Sequence, residues 1–299
     1  MTTRFEKLKY KRGIFNMKTF EFSTLGSDAK DFFQEHGWLH ITNVFGKEEI
    51  EQFRKNGKGK HAENHKGDLL SHPETNPIIH DERIVSVAKL LLDTEKPIYF
   101  GDSGCMIGSK EGAGFHKDNP DRIKGDASDW QSPYTILRMG IYLQDHTRHS
   151  GCLALRDGSH TTVKTGIGKP FFVSTNPGDL VIWYFRTTHS GNGKRLRFAP
   201  DFFLNLRLYK ILPEFLFLPE ENERMAFFMS FAKENDNHLK RLIHYFKTRT
   251  YMVEIWQNSQ YAEKSLEEAK KVLDIMDVTE EARKIPLEQL NVYHKELED

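Results

Sequence analysis

The chain has 299 residues, of which 38 % are apolar and 29 % charged, and its 43 basic and 43 acidic side chains cancel. That length suits one large domain with an appendage, and the balanced charge argues against nucleic acid as a partner. No apolar run approaches the roughly eighteen residues needed to span a bilayer. The N-terminus lacks the hydrophobic core of a secretory signal, so the sequence predicts a cytoplasmic protein with no membrane partner. Two cysteines, Cys105 and Cys152, are too few for a disulfide scaffold and suit a reducing compartment.

Residues 1–27 read as a solvated basic arm rather than an organelle-targeting stretch, since in the first eighteen residues Arg4, Lys7, Lys9, Lys11, Arg12 and Lys18 outnumber Glu6. Asp28 then caps a helix, DAKDFFQEHG, with Phe32 and Phe33 inward and Gly37 at its end. WLHITNVF alternates as a strand, and KEEIEQFRK reads as a charged helix with Ile50 and Phe53 on its buried side. Residues 56–80 show no period and predict a mobile loop, so His61, Glu63 and His65 within it read as solvated. Asp81 caps the helix ERIVSVAKLLLD, Pro97 opens the strand PIYFGDSGCMIG, and SKEGAG supplies a flexible turn.

The next stretch, GFHKDNPD, carries the chemistry. On an extended backbone residues i and i+2 share a face, so the imidazole of His116 and the carboxylate of Asp118 can bind one metal ion. A third ligand belongs on a neighbouring strand. His189, which follows the buried-strand signature DLVIWYF, is the best placed, because His146, His149 and His160 follow no such strand. Two histidines and a carboxylate on one face of an octahedral ion leave three positions open and point to Fe(II). Between these ligands lie the polar loop NPDRIKGDASDWQSP, the strand YTILRMGIYLQD and the loop and strand RHSGCLALRDGSH. Asn119, Trp130 and Gln131 of the polar loop are weak candidates for substrate contacts, against simple packing of that loop onto the barrel.

In FHKD, LRMGIYLQDHTRHSGCLALRDGSH, NPGDLVIWYFRTTHSGNG and the early FFQEHGWLHITNVFGKEEIEQFRK, the chain resembles the phytanoyl-CoA dioxygenase family of Fe(II)/2-oxoglutarate oxygenases, over roughly residues 28 to 210. The resemblance implies Fe(II), 2-oxoglutarate and O2 as cofactor and cosubstrates, with succinate and CO2 released. It also implies an arginine for the far carboxylate of 2-oxoglutarate, which a guanidinium grips with two parallel hydrogen bonds. Arg195 and Arg197 share a strand face after His189, and spacing alone does not choose between them. The resemblance favours Arg197, because the family's arginine opens the last strand and is followed by a small residue, here Ala199. The resemblance also implies that an aspartate at 118 points to hydroxylation or another oxidation, since a related halogenating class has a small residue there.

RLRFAPDFFLNLRLY reads as the last long strand. Beyond Pro213 the spacing turns helical in NERMAFFMSFAKEN, HLKRLIHYFKTRTYMVEIW, EKSLEEAKKVLDIM and PLEQLNVYHKELED. The expected fold is mainly β, a double-stranded β-helix (jelly-roll, cupin-like) at 28–212 with flanking N-terminal helices, followed by a helical extension at 213–299. That extension packs on the barrel rather than offering a homodimer face or a lid. The leading function is hydroxylation of a C–H bond in a small metabolite. The alternatives are a non-catalytic metal-binding jelly-roll serving as sensor or interaction module, and hydroxylation of a protein side chain.

Overall fold

The structure, a computed structural model, describes residues 17–108, 114–131, 133–204, 206–209, 211–220, 223–233 and 237–290. The basic residues from Arg4 to Arg12, most of the SKEGAG turn and the last nine residues of the expected C-terminal helix lie outside them. Strands β1 (Phe20–Glu21), β2 (Trp38–Thr42), β3 (Ile98–Ile107), β4 (Ile136–Tyr142), β7 (Leu180–Tyr184), β9 (Met225–Ala232) and β10 (Asp274–Ile275) form one sheet in the order β1-β2-β7-β4-β9-β3-β10. Strands β5 (Cys152–Arg156), β6 (Pro170–Phe172) and β8 (His189–Gly193) form the facing sheet in the order β6-β5-β8. This is the expected jelly-roll, open rather than closed into a barrel.

Alternation along each strand sorts the core into layers. Trp38, Tyr142, Val181, Trp183 and Ala226 of the large sheet meet Leu153, Leu155 and Phe171 between the sheets. The opposite face of the large sheet, with Met225, Phe227, Met229 and Phe231, is covered by helices. These are α1 (Ser27–His36), α2 (Lys47–Ala62), α3 (Glu82–Leu92), α4 (His238–Phe246), α5 (Thr250–Asn258) and α6 (Glu263–Lys270). Asp81 caps α3 through Arg83 N, and Gly37 ends α1 in the left-handed conformation, as their residue types require. Gly37 is also a point of close approach. A Cβ there would lie 2.2 Å from Nδ1 of His160, whose ring stacks on Tyr184. Gly37→Ala therefore combines positive φ (+78°) with a clash, and a loss of about 2–4 kcal/mol in thermal or urea unfolding is expected.

Three expectations are corrected. The charged helix after Gly46 continues to Ala62, and much of 63–80 is packed rather than mobile, with Leu69, Leu70, Ile78 and Ile79 buried. RLRFAPDFFLNLRLY is not the last strand: past β8 the backbone is largely irregular and covers the outer face of the small sheet, where Phe203 packs on Phe115 and Phe172. The last strand of the jelly-roll is β9, inside NERMAFFMSFAKEN, which sits between β4 and β3. Its residues are apolar on both faces because one face meets the helices and the other the interior. Such a run has no amphipathic period to separate strand from helix. The strand also carries the jelly-roll past residue 212, so the segment from 213 onward is helical only after it.

Candidate metal centre

His116 and His189 form an antiparallel bridge, with His116 N to His189 O at 3.0 Å and His189 N to His116 O at 2.9 Å. Their rings lie 4.3 Å apart between centroids. Asp118 is fixed beside them by its own N–H to Phe185 O at 2.9 Å. Each histidine directs Nδ1 at a carbonyl, His116 at Gly114 O (2.9 Å) and His189 at Thr187 O (3.1 Å). With the proton held on Nδ1, the Nε2 lone pair of each ring is the ligating one. Nε2 of His116 lies 3.6 Å from Asp118 Oδ1, and Nε2 of His189 lies 3.3 Å from Asp118 Oδ2. One ligand atom from each residue, two nitrogens and one oxygen, falls within 4.8 Å of the others, close enough for all three to bind one ion. This donor set fits a ferrous ion with one face open.

Between the two ligands of the HKD motif, Lys117 points the other way and is fully buried. Its Nζ donates to Ser159 O and Arg186 O, both at 2.7 Å, and lies 5.3 Å from the Trp130 ring. The lysine thus ties the metal strand to two other segments, which a sequence reading of a charged residue does not reveal.

Of the three weak substrate candidates, two bond within their own loop and the third faces solvent. Asn119 donates to Asp129 Oδ2 (3.0 Å), Trp130 Nε1 donates to Asp121 O (2.7 Å), and Gln131 is exposed. The loop is held from outside by α4, where His238 Nε2 donates to Ser128 O at 2.9 Å and Arg241 pairs with Asp121.

The competing histidines are placed away from the centre. His149 bonds Asp145 O, and His160 Nε2 donates to Gln34 O. His146 is buried between Thr175 and Gln144, whose Nε2 donates to it at 3.1 Å. Burial, followed by the charges of Arg224 and Arg195, pushes the His146 pKa down to about 3. Burial, followed by Arg186, pushes His160 down to about 4. An unfolded histidine takes up its proton near pH 6.5, while these two stay neutral in the fold until far lower. Their stabilising effect is therefore complete above pH 6.5 and is lost as pH falls from there, toward about 4 for His160 and about 3 for His146. Thermal unfolding should show a loss on the order of a few kcal/mol between pH 7 and pH 4.5, flattened by the pair His146→Gln and His160→Asn.

The two arginines expected to bind an acid are engaged or displaced. Arg195 is buried, and its guanidinium donates to His146 O, Pro200 O (3.0 Å) and Asp201 Oδ1 (2.9 Å). Arg197 is exposed, with Nε to Phe215 O at 3.3 Å. A third arginine, Arg224, immediately precedes β9 and is buried. Its Nε donates to Gly151 O at 2.8 Å, and no described residue takes up its Nη groups. Nη2 lies 4.0 Å from where a Cβ would stand on Gly191, two residues beyond His189. The guanidinium and the metal histidine therefore sit at positions of β8 that share a face. Two further donors in the layer between the sheets, Tyr142 Oη and Trp183 Nε1, are buried without a partner. Arg224 is two residues before Ala226 in the sequence, but the run after it is apolar on both faces and shows no period, so the residues alone do not reveal that this arginine opens a strand.

Among solved structures, the fold is similar to the non-heme α-ketoglutarate-dependent carbocyclase SnoK from nogalamycin biosynthesis. The TM-score is 0.50 at 16 % identity, over 75 % of this chain and 94 % of that one. It is also similar to EctD from S. alaskensis, solved with 2-oxoglutarate and 5-hydroxyectoine (TM-score 0.50, 16 % identity, 70 % and 76 % covered). A third is the nickel complex of the non-heme monooxygenase ThoJ (TM-score 0.50, 15 % identity, 69 % and 77 % covered). No family model and no curated protein sequence matches the chain. At these identities the likeness shows a shared fold. No helix among the described residues is long and apolar enough to cross a membrane.

Proposed function

We propose that the chain is a non-haem Fe(II)/2-oxoglutarate-dependent oxygenase of the phytanoyl-CoA dioxygenase type, cytoplasmic, hydroxylating a C–H bond of a small molecule. The observation that carries this reading is the pairing of an open three-donor metal site with a buried arginine, Arg224, whose Nη groups no described residue claims. A metal-binding module without catalysis has no use for that arginine. The similar fold of EctD, solved with 2-oxoglutarate, adds support by analogy.

Each role falls to residues of the chain. His116, Asp118 and His189 would hold the iron. Arg224 would take the far carboxylate of 2-oxoglutarate, with the unpartnered hydroxyl of Tyr142 as a second donor. Trp183, against the His189 ring at 5.5 Å, and Phe228, packed edge to face on it at 6.2 Å between centroids, would form an apolar wall beside the ligands. Bound iron and 2-oxoglutarate supply the oxidising power, coupled to release of succinate and CO2.

Anaerobic addition of Fe(II) and then 2-oxoglutarate to the apo-protein tests the reading. A weak visible metal-to-ligand charge-transfer band is expected, followed by succinate formation when O2 is admitted. Bound iron without that band would sink the 2-oxoglutarate assignment.

A further inference from the structure

Beside the metal ligands the interior holds a charged group that metal binding does not require. Arg138 extends from β4, opposite Trp183 on β7 and Ser230 on β9. Its Nη1 donates to Asp118 Oδ2 at 3.0 Å, its Nη2 to Asp102 Oδ2 at 2.6 Å and its Nε to Ser230 Oγ at 3.3 Å. Ser230 Oγ in turn donates to Asp102 Oδ2 at 2.7 Å. Asp102 reaches this position because β3 is irregular there. The pairing with β9 shifts register between Tyr99 and Ser103, and Gly101 takes φ +74°. Such irregularities re-aim side chains next to active sites.

From this geometry we infer that Arg138, anchored by Asp102 and Ser230, is a positioning residue that restricts Asp118 to a single bond to the metal through Oδ1. The inference rests on the metal centre of the proposed function and extends it. Both oxygens of Asp118 face the ligand nitrogens, Oδ1 at 3.6 Å from Nε2 of His116 and Oδ2 at 3.3 Å from Nε2 of His189, but Oδ2 already accepts from Arg138 at 3.0 Å, which leaves Oδ1 as the oxygen free for the metal. A carboxylate with both oxygens free can chelate a divalent ion, and a second bond would consume one of the three open positions. The arginine prevents this at a cost, since a guanidinium hydrogen-bonded to the same carboxylate that binds a divalent cation repels that cation. Asp102 offsets the cost. With Arg138 cancelled by Asp102, the charge of Asp118 remains available to the ion.

The two partners should therefore move metal affinity in opposite directions, which a merely structural role does not produce. The probe is Co(II), titrated into the apo-protein and followed in the visible spectrum. Arg138→Met is expected to tighten Co(II) several-fold. In the Fe(II) form with 2-oxoglutarate it should weaken nitric oxide, a reporter of the last open position, at least tenfold in the EPR titration. Asp102→Asn keeps the shape, leaves Arg138 uncancelled and should weaken Co(II) several-fold. Arg138→Lys should restore nitric oxide binding in part. Loss of Co(II) affinity in both Arg138→Met and Asp102→Asn, or unchanged nitric oxide binding in Arg138→Met, overturns the inference. Should Arg138→Met fail to fold, unchanged Co(II) affinity in Asp102→Asn overturns it alone. The Co(II) arm uses no 2-oxoglutarate, so failure of the oxygenase reading, seen as no charge-transfer band in the wild type, is distinguishable.

Discussion

Replacing His189 by alanine is expected to lower Fe(II) or Co(II) affinity by about a hundredfold or more, since disturbing even the partners of metal ligands costs 10–100-fold. The substitution is clean, because the bridge that positions His189 is made by backbone atoms and survives the loss of the ring. The ring contacts His116 and Trp183, so the apo-protein should lose only about 1–2 kcal/mol, the scale of a small cavity. The measurement is thermal unfolding with and without metal. A ligand present at about a hundred times its Kd stabilises the folded state by roughly 2.7 kcal/mol, and that increment should vanish in the variant. If His189→Ala keeps the metal-dependent shift, His189 is not a ligand. The same variant should lose succinate release in parallel with metal, because no other described residue stands in the position of its Nε2.

Arg224→Met should leave metal affinity nearly unchanged and weaken 2-oxoglutarate by about 10²- to 10³-fold, the 3–4 kcal/mol that a buried bidentate contact to a carboxylate carries. The contrast with the neighbouring arginines makes the test specific. Arg195→Met removes donors from His146 O, Pro200 O and Asp201 and should lower stability with little change in 2-oxoglutarate affinity. Arg197→Ala removes an exposed side chain and should change neither. Isothermal titration of 2-oxoglutarate into the Co(II) protein, with unfolding curves for each variant, separates the three. A loss of binding in Arg197→Ala with none in Arg224→Met would reverse the assignment.

The chain by itself determined the chemistry that depends on adjacency. His116 and Asp118 are two residues apart on extended backbone, so their side chains share a face wherever that segment lies. DLVIWYF had to be buried, and the chain after it had to bring His189 to a neighbouring strand. Helix ends such as Asp81 and Gly37 were equally local, because caps and positive φ are set by one residue type. Pairings between distant segments were not local. Only the tertiary structure decided that MAFFMSFA is a strand between β4 and β3, because a segment apolar on both faces shows no period until its two environments are known. That decision placed Arg224 at the opening of a strand with its Nη groups unclaimed by described residues, while Arg195 is engaged and Arg197 exposed, which is why the proposed acid-binding role falls to Arg224. Asp102 and Arg138 are 36 residues apart, and Arg138 meets Asp118 from a different strand. Their contact exists because the sheet brings β3 and β4 to either side of β9 and a bulge turns one carboxylate inward, and neither condition is written in the residues around them.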